Sequence, residues 1–193
     1  MKKAFGVFVL AFFVIGFVTS GVMAADIGFK GVGVRLGLVM PEDPLDNTIG
    51  FGGHIDLGTI IPNLKIEGSI EYWSAGWKEA GFGDDWSWGD IAFLGTAKYM
   101  FPLEGLHVSP YAGGGLGLHH FSYDTWAFNQ QTMQFEKGSE SSNELQFHLL
   151  GGVEYPVSPQ MAAFGEAKYV VGDLDYFGIY GGITYYLGTS VEK

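Results

Sequence analysis

Three residue types that take part in nucleophilic hydrolysis occur close together, at His120, Ser122 and Asp124. Such hydrolysis needs a nucleophile, a base within hydrogen-bond reach and a group that orients the base. Residues spaced by two share one face of a strand, so these three side chains are expected to share a face. They are separated by about 6.5–7 Å along a regular strand, so Ser122 and His120 meet only if the strand bulges or the side chains lean together. The spacing therefore favours a protein that is not an enzyme.

The histidines and glycines form no recognisable cofactor site. His119 and His120 are adjacent, so in a strand they point to opposite faces and do not readily share a metal ion. The chain has no cysteine, and no HExxH or Cys/His zinc spacing occurs. Gly-x-Gly steps such as those from Gly113 to Gly117 belong to no βαβ pattern, so they are interpreted as strand glycines. We expect no metal and no cofactor.

Charged residues alternate with apolar residues at a spacing of two, which places them on the opposite face of a strand. The polar residues assigned to one enclosed interior on this basis are Arg35, His54, Asp56, Lys65, Glu67, Glu71, Lys98, His148, Glu154, Glu166 and Lys168. Opposite charges in a narrow interior must pair, because an unpaired buried charge is very costly. We predict a salt-bridge network in which Lys98 and Lys168 are the partners of Glu67, Glu71 and Glu166. The alternative is a narrow or gated pore.

Eight strands are predicted to position these residues. Their approximate bounds are 27–40, 49–59, 64–75, 91–101, 107–123, 144–155, 161–171 and 176–187. Connections 41–48, 76–89 and 124–143 are predicted to be long loops, whereas the even-numbered connections are short turns rich in Pro and Gly. This alternation of long and short connections is typical of an antiparallel up-and-down barrel. The strands are long enough to cross a bilayer at a tilt of roughly 45°, so we predict an all-β, eight-stranded antiparallel up-and-down transmembrane β-barrel.

Alternation alone does not say which face points outward, because a secreted lipocalin-like barrel has the same pattern with its apolar face inside. Three features favour the outer membrane. The apolar face is almost free of charge, and the other face is rich in small residues, which leave room for large ones inside a barrel of this size. Aromatic residues also gather near strand ends, as in the interfacial girdles of membrane barrels. These predicted interfacial aromatics are Tyr72, Trp86, Trp88, Tyr99, Phe101, Tyr155, Tyr169 and Tyr185.

Residues 1–24 are predicted to be a cleaved signal peptide. Lys2 and Lys3 precede an apolar run from Ala4 to Val18, and Val22-Met23-Ala24 resembles a cleavage signal. Residues 25–193 are expected to form one domain. Without Lys2 and Lys3 the chain has 8 basic residues against 21 acidic ones, a net charge of −13. A nucleic-acid partner is not expected, because this charge repels phosphates.

Several segments resemble those of the small eight-stranded outer-membrane barrels of the OmpA/OmpX-like family. They are DIAFLGTAKYMFP, VSPYAGGGLGL, LLGGVEYPVS, FGEAKY and YGGITYYLG. The resemblance implies an outer-membrane monomer that depends on periplasmic chaperones and the barrel-assembly machinery and has a structural or surface-interaction role. Such barrels often end on an aromatic residue, whereas this chain continues past Tyr186 and Leu187 to Lys193. Some small outer-membrane barrels are lipid A acyl hydrolases with a His-x-Ser pair, but HFSY lacks the Asn that follows their serine.

Acidic residues are concentrated in the predicted outer loops. This group contains Glu42, Asp43, Asp46, Glu79, Asp84, Asp85, Asp90, Asp124, Glu136, Glu140, Glu144, Asp173 and Asp175. One interpretation is a hydrophilic, solvated surface. The alternative is that Ca²⁺ or Mg²⁺, which select oxygen ligands, weakly bridge these carboxylates to the phosphates of lipopolysaccharide.

Overall fold

The computed structural model describes most of the chain after the predicted signal peptide. The described residues are 25–77, 86–103, 105, 107–129 and 134–188, with the side chains of 77, 86, 126–129 and 134–137 left out. The predicted signal peptide, 1–24, and the end of the polar tail, 189–193, lie outside them. Cleavage after Ala24 therefore stays a prediction.

Within the described residues, eight antiparallel strands close into one barrel. They are β1 (Asp26–Pro41), β2 (Thr48–Ile61), β3 (Leu64–Trp77), β4 (Trp86–Met100), β5 (Ser109–Asn129), β6 (Gln134–Ser158), β7 (Met161–Val171) and β8 (Tyr176–Tyr186). Each strand pairs with its neighbours in sequence, and β1 pairs with β8 to close the ring. The predicted fold class is confirmed. No helix in the described part of the chain is long and apolar enough to cross a membrane.

The connections define two rims of the barrel. The turn rim carries the β2–β3, β4–β5 and β6–β7 connections, and the loop rim carries the other four. At the turn rim, Ile61 pairs with Leu64 across a two-residue turn. Asn63 in this turn has a φ of 66°, a left-handed conformation that Asn tolerates better than most residues.

The outer surface of the barrel is apolar and its interior is polar. Val34 and Leu36 expose 65% and 60% of their surfaces, whereas Arg35 between them is 3% exposed. The strand pleat places these neighbours on opposite faces. A secreted lipocalin-like barrel has the reverse arrangement, so the structure excludes that alternative.

Small residues let the barrel interior accept large polar side chains. A Cβ atom on Gly33 would lie 2.3 Å from the His54 ring, and one on Gly115 would lie 2.9 Å from the His148 ring. Real Cβ atoms essentially never approach this closely. The glycines that alternate along β1 and β5 therefore provide the space that the inward histidines occupy.

The prediction of a long loop at 124–143 is wrong. β5 and β6 instead continue as one hairpin ladder, from Ser109 opposite Glu154 to Asn129 opposite Gln134, without a register shift. Apolar and polar residues alternate where one face of a strand is buried. This ladder has water on both faces and needs no apolar face, so its sequence does not alternate. The β4–β5 connection is also longer than the predicted turn at 102–106, because β4 ends at Met100 and β5 begins at Ser109.

Candidate functional site in the barrel lumen

Arg35 lies at the centre of a charged cluster in the barrel interior. It is directed inward from β1 because the pleat sends Val34 and Leu36 outward. Its Nη1 donates hydrogen bonds to Glu71 at 3.1 Å and Glu166 at 3.2 Å, and its Nη2 donates to Glu67. One guanidinium group therefore connects carboxylates from β3 and β7. The fixed, fork-like arrangement of its N–H donors suits binding to several carboxylates.

Two lysines complete this cluster. Lys98 Nζ lies 2.8 Å from Glu67 and 2.9 Å from Glu166, and Lys168 Nζ donates to Glu71. We call these three cations and three carboxylates the central network: Arg35, Lys98, Lys168, Glu67, Glu71 and Glu166. Their charges cancel, which reduces the cost of burying them. The structure brings together the lysine–glutamate pairs that the sequence predicts, and it adds Arg35 as the shared partner.

A smaller polar cluster lies nearer the turn rim. Lys65 Nζ is 3.4 Å from Glu154 and 3.9 Å from Asp56, and the Tyr186 hydroxyl donates to Glu154 at 3.1 Å. Between this cluster and the central network is a cavity of about 20 Å³, lined by Lys65, Glu67, Glu154 and others. That volume holds about one water molecule.

The two predicted interior histidines each contact a threonine over a glycine of the one strand between them, Gly33 of β1 or Gly115 of β5. His54 Nε2 lies 2.9 Å from the Thr184 hydroxyl, and His148 Nε2 lies 2.9 Å from the Thr96 hydroxyl. Both histidines are almost completely buried. All eleven residues of the predicted polar interior therefore face the lumen.

An aromatic layer fills the lumen between the central network and the loop rim. Its buried members are Val39, Trp73, Ala75, Phe121, Val170, Tyr176 and Tyr180. Trp73 and Tyr176 pack edge to face, with ring centroids 5.5 Å apart, and Lys168 Nζ lies 4.6 Å from the Tyr180 ring centroid. The sequence analysis did not identify this layer as a unit. The sequence pattern that indicates this layer is the presence of large aromatic residues, instead of small ones, at inward-facing positions.

His119 and Asp90 form a buried pair beside this layer. His119 Nδ1 lies 2.8 Å from Asp90 Oδ2, and both side chains are completely buried. The prediction that Asp90 belongs to an outer loop is therefore wrong. β4 begins at Trp86, earlier than predicted, and carries Asp90 on its inward face.

The predicted interfacial aromatics divide between the rims, with one exception. Tyr99, Phe101, Tyr155 and Tyr185 are exposed near the turn rim, and Tyr72 and Tyr169 are exposed near the loop rim. Trp88 is the exception, because it is directed inward, packs against the aromatic layer and stacks on Tyr123 with ring centroids 4.7 Å apart. Its assignment to the outer girdle was wrong, since β4 starts early enough to include it. The side chain of Trp86 lies outside the described parts.

The candidate hydrolase residues have separate partners. His120 Nδ1 lies 2.9 Å from Asn143 Oδ1, and the Asp124 carboxylate accepts hydrogen bonds from Ser87 N and Oγ. Among the hydrogen bonds of the described residues, none joins Ser122 to His120. The described residues also contain no group of three or more His, Asp or Glu side chains placed to hold a metal ion.

An apolar belt around a charged lumen, in a closed ring of antiparallel strands, defines an outer-membrane β-barrel. The family model for the outer membrane protein beta-barrel domain matches residues 10–190. This chain belongs to that family, and it is a protein of the cell outer membrane. No curated protein sequence matches it significantly.

Three solved structures share the fold. Neisserial surface protein A is 20% identical with a TM-score of 0.55, and the match covers 81% of this chain and 96% of that one. Ail, the attachment invasion locus protein of Yersinia pestis, is 14% identical with a TM-score of 0.53, covering 83% and 99%. A major outer membrane protein from Thermus thermophilus is 14% identical with a TM-score of 0.54, covering 82% and 99%. These low identities establish a common fold and nothing finer.

Proposed function

We propose that this outer-membrane barrel has a closed lumen and acts through its loop rim, in a structural or surface-interaction role. The observation that carries the proposal is the central network, in which three cations and three carboxylates meet across the lumen with their charges balanced. A permeating ion would have to separate these buried pairs, and breaking one such pair costs about 3–5 kcal/mol.

The aromatic layer supports the same proposal independently. It fills the lumen on the loop-rim side of the network, and Trp73, Phe121 and Tyr176 in it are 1% exposed. An eight-stranded barrel has an interior just wide enough for side chains to fill. Two successive barriers of different chemistry therefore stand between the rims.

Conductance in planar lipid bilayers tests the proposal. The purified full-length protein should give no steady channel currents, and a general porin measured in the same bilayers provides the positive control. Stable channels of large conductance would overturn the closed lumen and establish the porin alternative.

Lipopolysaccharide is the partner that we propose for the loop rim. In outer-membrane barrels the longer connections face outside, and here that side carries exposed Glu42, Asp43 and Asp46. Divalent cations would weakly bridge such carboxylates to lipid phosphates. Calorimetry with millimolar Ca²⁺ should give heat in detergent that contains lipopolysaccharide. If no heat is measured in that detergent, the loop rim is a solvated surface and cations do not bridge its carboxylates to lipopolysaccharide.

The proposed role does not include catalysis. His120 and Asp124 are each held by a partner outside the candidate triad, and hydrolysis needs its base within reach of the nucleophile. A lipid A deacylation assay with wild type and Ser122→Ala should give no product with either protein. Product from the wild type alone would establish the hydrolase.

A further inference from the structure

The cavity between the turn rim and the central network has an excess of negative charge. We call it the turn-rim cavity. The charged residues that line it are Asp56, Lys65, Glu67, Lys98 and Glu154. Three of them are carboxylates and two are ammonium groups, so one negative charge is not balanced. The side chains of Lys65 and Glu154 are 26% and 18% exposed, so solvent reaches this cluster from the turn rim.

The unbalanced charge belongs to Asp56. Lys65 does not compensate it, because its ammonium group donates to Glu154 at 3.4 Å and to the Tyr186 hydroxyl at 3.1 Å. Lys65 Nζ lies 3.9 Å from Asp56 Oδ2, which is too far for a hydrogen bond. The other oxygen, Oδ1, accepts a hydrogen bond from Gly58 N at 2.7 Å. Asp56 Oδ2 is therefore an acceptor without a close donor.

The strand register adds repulsion at the same place. Asp56 in β2 is paired directly with Glu67 in β3. Like charges directly opposite each other destabilise a sheet. Glu67 is engaged by Arg35 and Lys98 in the central network, so these cations do not separate it from Asp56. A further positive group in the cavity would reduce the repulsion.

A histidine nitrogen supplies a second open position in this cavity. His54 lines the cavity and is 4% exposed. Its Nε2 lies 2.9 Å from the Thr184 hydroxyl, and its Nδ1 is buried without a hydrogen-bond partner among the described residues. Buried polar atoms rarely stay unpaired. When Nε2–H donates to Thr184, Nδ1 of the neutral imidazole is an acceptor.

The size and spacing of these acceptors suit a primary ammonium group. His54 and Asp56 are two residues apart on the inward face of β2, so their Cα atoms are separated by about 6.5–7 Å. A donor atom between them can reach both acceptors at about 3 Å. The cavity holds about one water molecule, and an ammonium group of similar size adds three N–H donors and the missing positive charge. The described residues contain no group of three or more His, Asp or Glu side chains placed to hold a metal ion.

We propose that the turn-rim cavity binds the primary ammonium group of a small soluble amine, which donates hydrogen bonds to Asp56 Oδ2 and His54 Nδ1. Met100 and Phe164, which also line the cavity, pack against the alkyl chain of the amine. The turn rim faces the periplasm, where outer-membrane barrels have their short turns. The inference goes beyond the proposed function, because it assigns a ligand to the end of the barrel opposite the loop rim.

Three cations test the proposal on the full-length protein in phosphatidylcholine nanodiscs. Methylammonium has the charge and the N–H donors, tetramethylammonium has the charge without donors, and K⁺ is a metal ion of the same charge. Nitrogen NMR of the His54 ring, assigned by its loss in His54→Phe, measures binding together with the Thr184 amide shift. We expect a saturable shift with methylammonium alone. Equal shifts with tetramethylammonium or K⁺, or no saturable shift at all, would overturn the proposal.

Variants separate the contributions of the two acceptors. Asp56→Asn keeps the Oδ1 that binds Gly58 N and should weaken methylammonium binding about tenfold or more, because it removes a hydrogen bond to a charged group. His54→Phe, read from the Thr184 amide, should weaken it about fivefold. The control is Asp26→Asn, which removes an exposed carboxylate at the start of β1 and should leave the affinity unchanged.

Heat-modifiable gel migration verifies that each variant is folded. If Asp56→Asn does not fold, His54→Phe supplies the test. An affinity that a folded Asp56→Asn or His54→Phe leaves unchanged would overturn the proposed contacts.

Phosphatidylethanolamine carries the same primary ammonium group and is the other source of this chemistry. Nanodiscs that contain it, without added amine, should leave the His54 signal unchanged, because the cavity lies inside the barrel wall. A shift from the lipid alone would overturn the soluble amine as the ligand. The conductance measurement is independent of these titrations. Absent methylammonium binding with a closed lumen therefore removes only the amine site, whereas stable channels remove only the closed lumen.

Discussion

The central network and the aromatic layer occupy the same lumen and fill it by different physical means. In the central network, Arg35 and two lysines are buried by pairing with three glutamates. In the aromatic layer, rings such as Trp73 and Tyr176 are buried by packing. A buried charge needs a specific partner, whereas a buried ring needs only a matching volume. The stability of the central network should therefore depend on each charged group, whereas the stability of the aromatic layer should depend on side-chain volume.

The sharpest test of this contrast is Arg35→Met. It removes the shared partner of Glu67, Glu71 and Glu166 and should lower the free energy of unfolding by about 5 kcal/mol, the upper end for a broken buried pair. Urea unfolding in detergent measures it. The control is Lys30→Met, which removes an exposed ion pair with Asp26 and should change stability by less than about 1 kcal/mol. Equal effects of the two substitutions would refute the central role of Arg35.

Trp73→Ala tests the layer by removing volume. It should cost about 4 kcal/mol, as expected for a buried tryptophan, and the lumen should stay closed because the central network is intact. The neighbouring Tyr72→Ala, on the outward face, should cost less than half as much. Urea midpoints and bilayer conductance are the readouts. Steady channels in Trp73→Ala would mean that the layer, rather than the network, closes the lumen.

Lys98→Met asks whether the network tolerates a partial loss. Lys98 contacts Glu67 and Glu166, but Arg35 contacts both as well, so the cost should be about 3 kcal/mol, the lower end for a broken buried pair. Adding Glu67→Gln should recover part of this loss, because one stranded charge is removed. An unchanged unfolding midpoint for Lys98→Met would indicate that Lys98 is hydrated.

The smallest expected effect lies outside the lumen, where water screens charge. Asp173 raises the pKa of the partly exposed Glu144, so ionisation of Glu144 is disfavoured in the folded state. The cost of this ionisation disappears as the pH falls below the raised pKa. Asp173→Asn should return this pKa toward its ordinary value. A carboxyl NMR titration measures it, with Asp46→Asn as the control. A pKa unchanged by Asp173→Asn would show that the Asp173 charge is not the cause.

The lumen was predictable from the sequence to the extent that its residues interrupt apolar alternation. Lys65, Glu67 and Glu71 in β3 stand between Leu64, Ile66, Ile70 and Tyr72, so their inward direction follows from the pleat alone. The partners of Arg35 could not be predicted from the sequence, because they come from β3 and β7 and their positions depend on barrel closure and strand register. Asp90 and Trp88 were misassigned for a related reason, since they lie where loop-like composition hides the start of β4.

The amino-acid sequence by itself determined the eight strands, their up-and-down order and which residues share each strand face, because a period of two separates two faces wherever one face meets lipid. Only the tertiary structure decided that the apolar face points outward, that Arg35 joins three carboxylates and that β5 and β6 continue as a hairpin past their neighbours. Local alternation carries no information about which strands meet across a ring. It also ceases where water contacts both faces of a ladder, so the extension of the β5–β6 hairpin emerges only from the strand pairing.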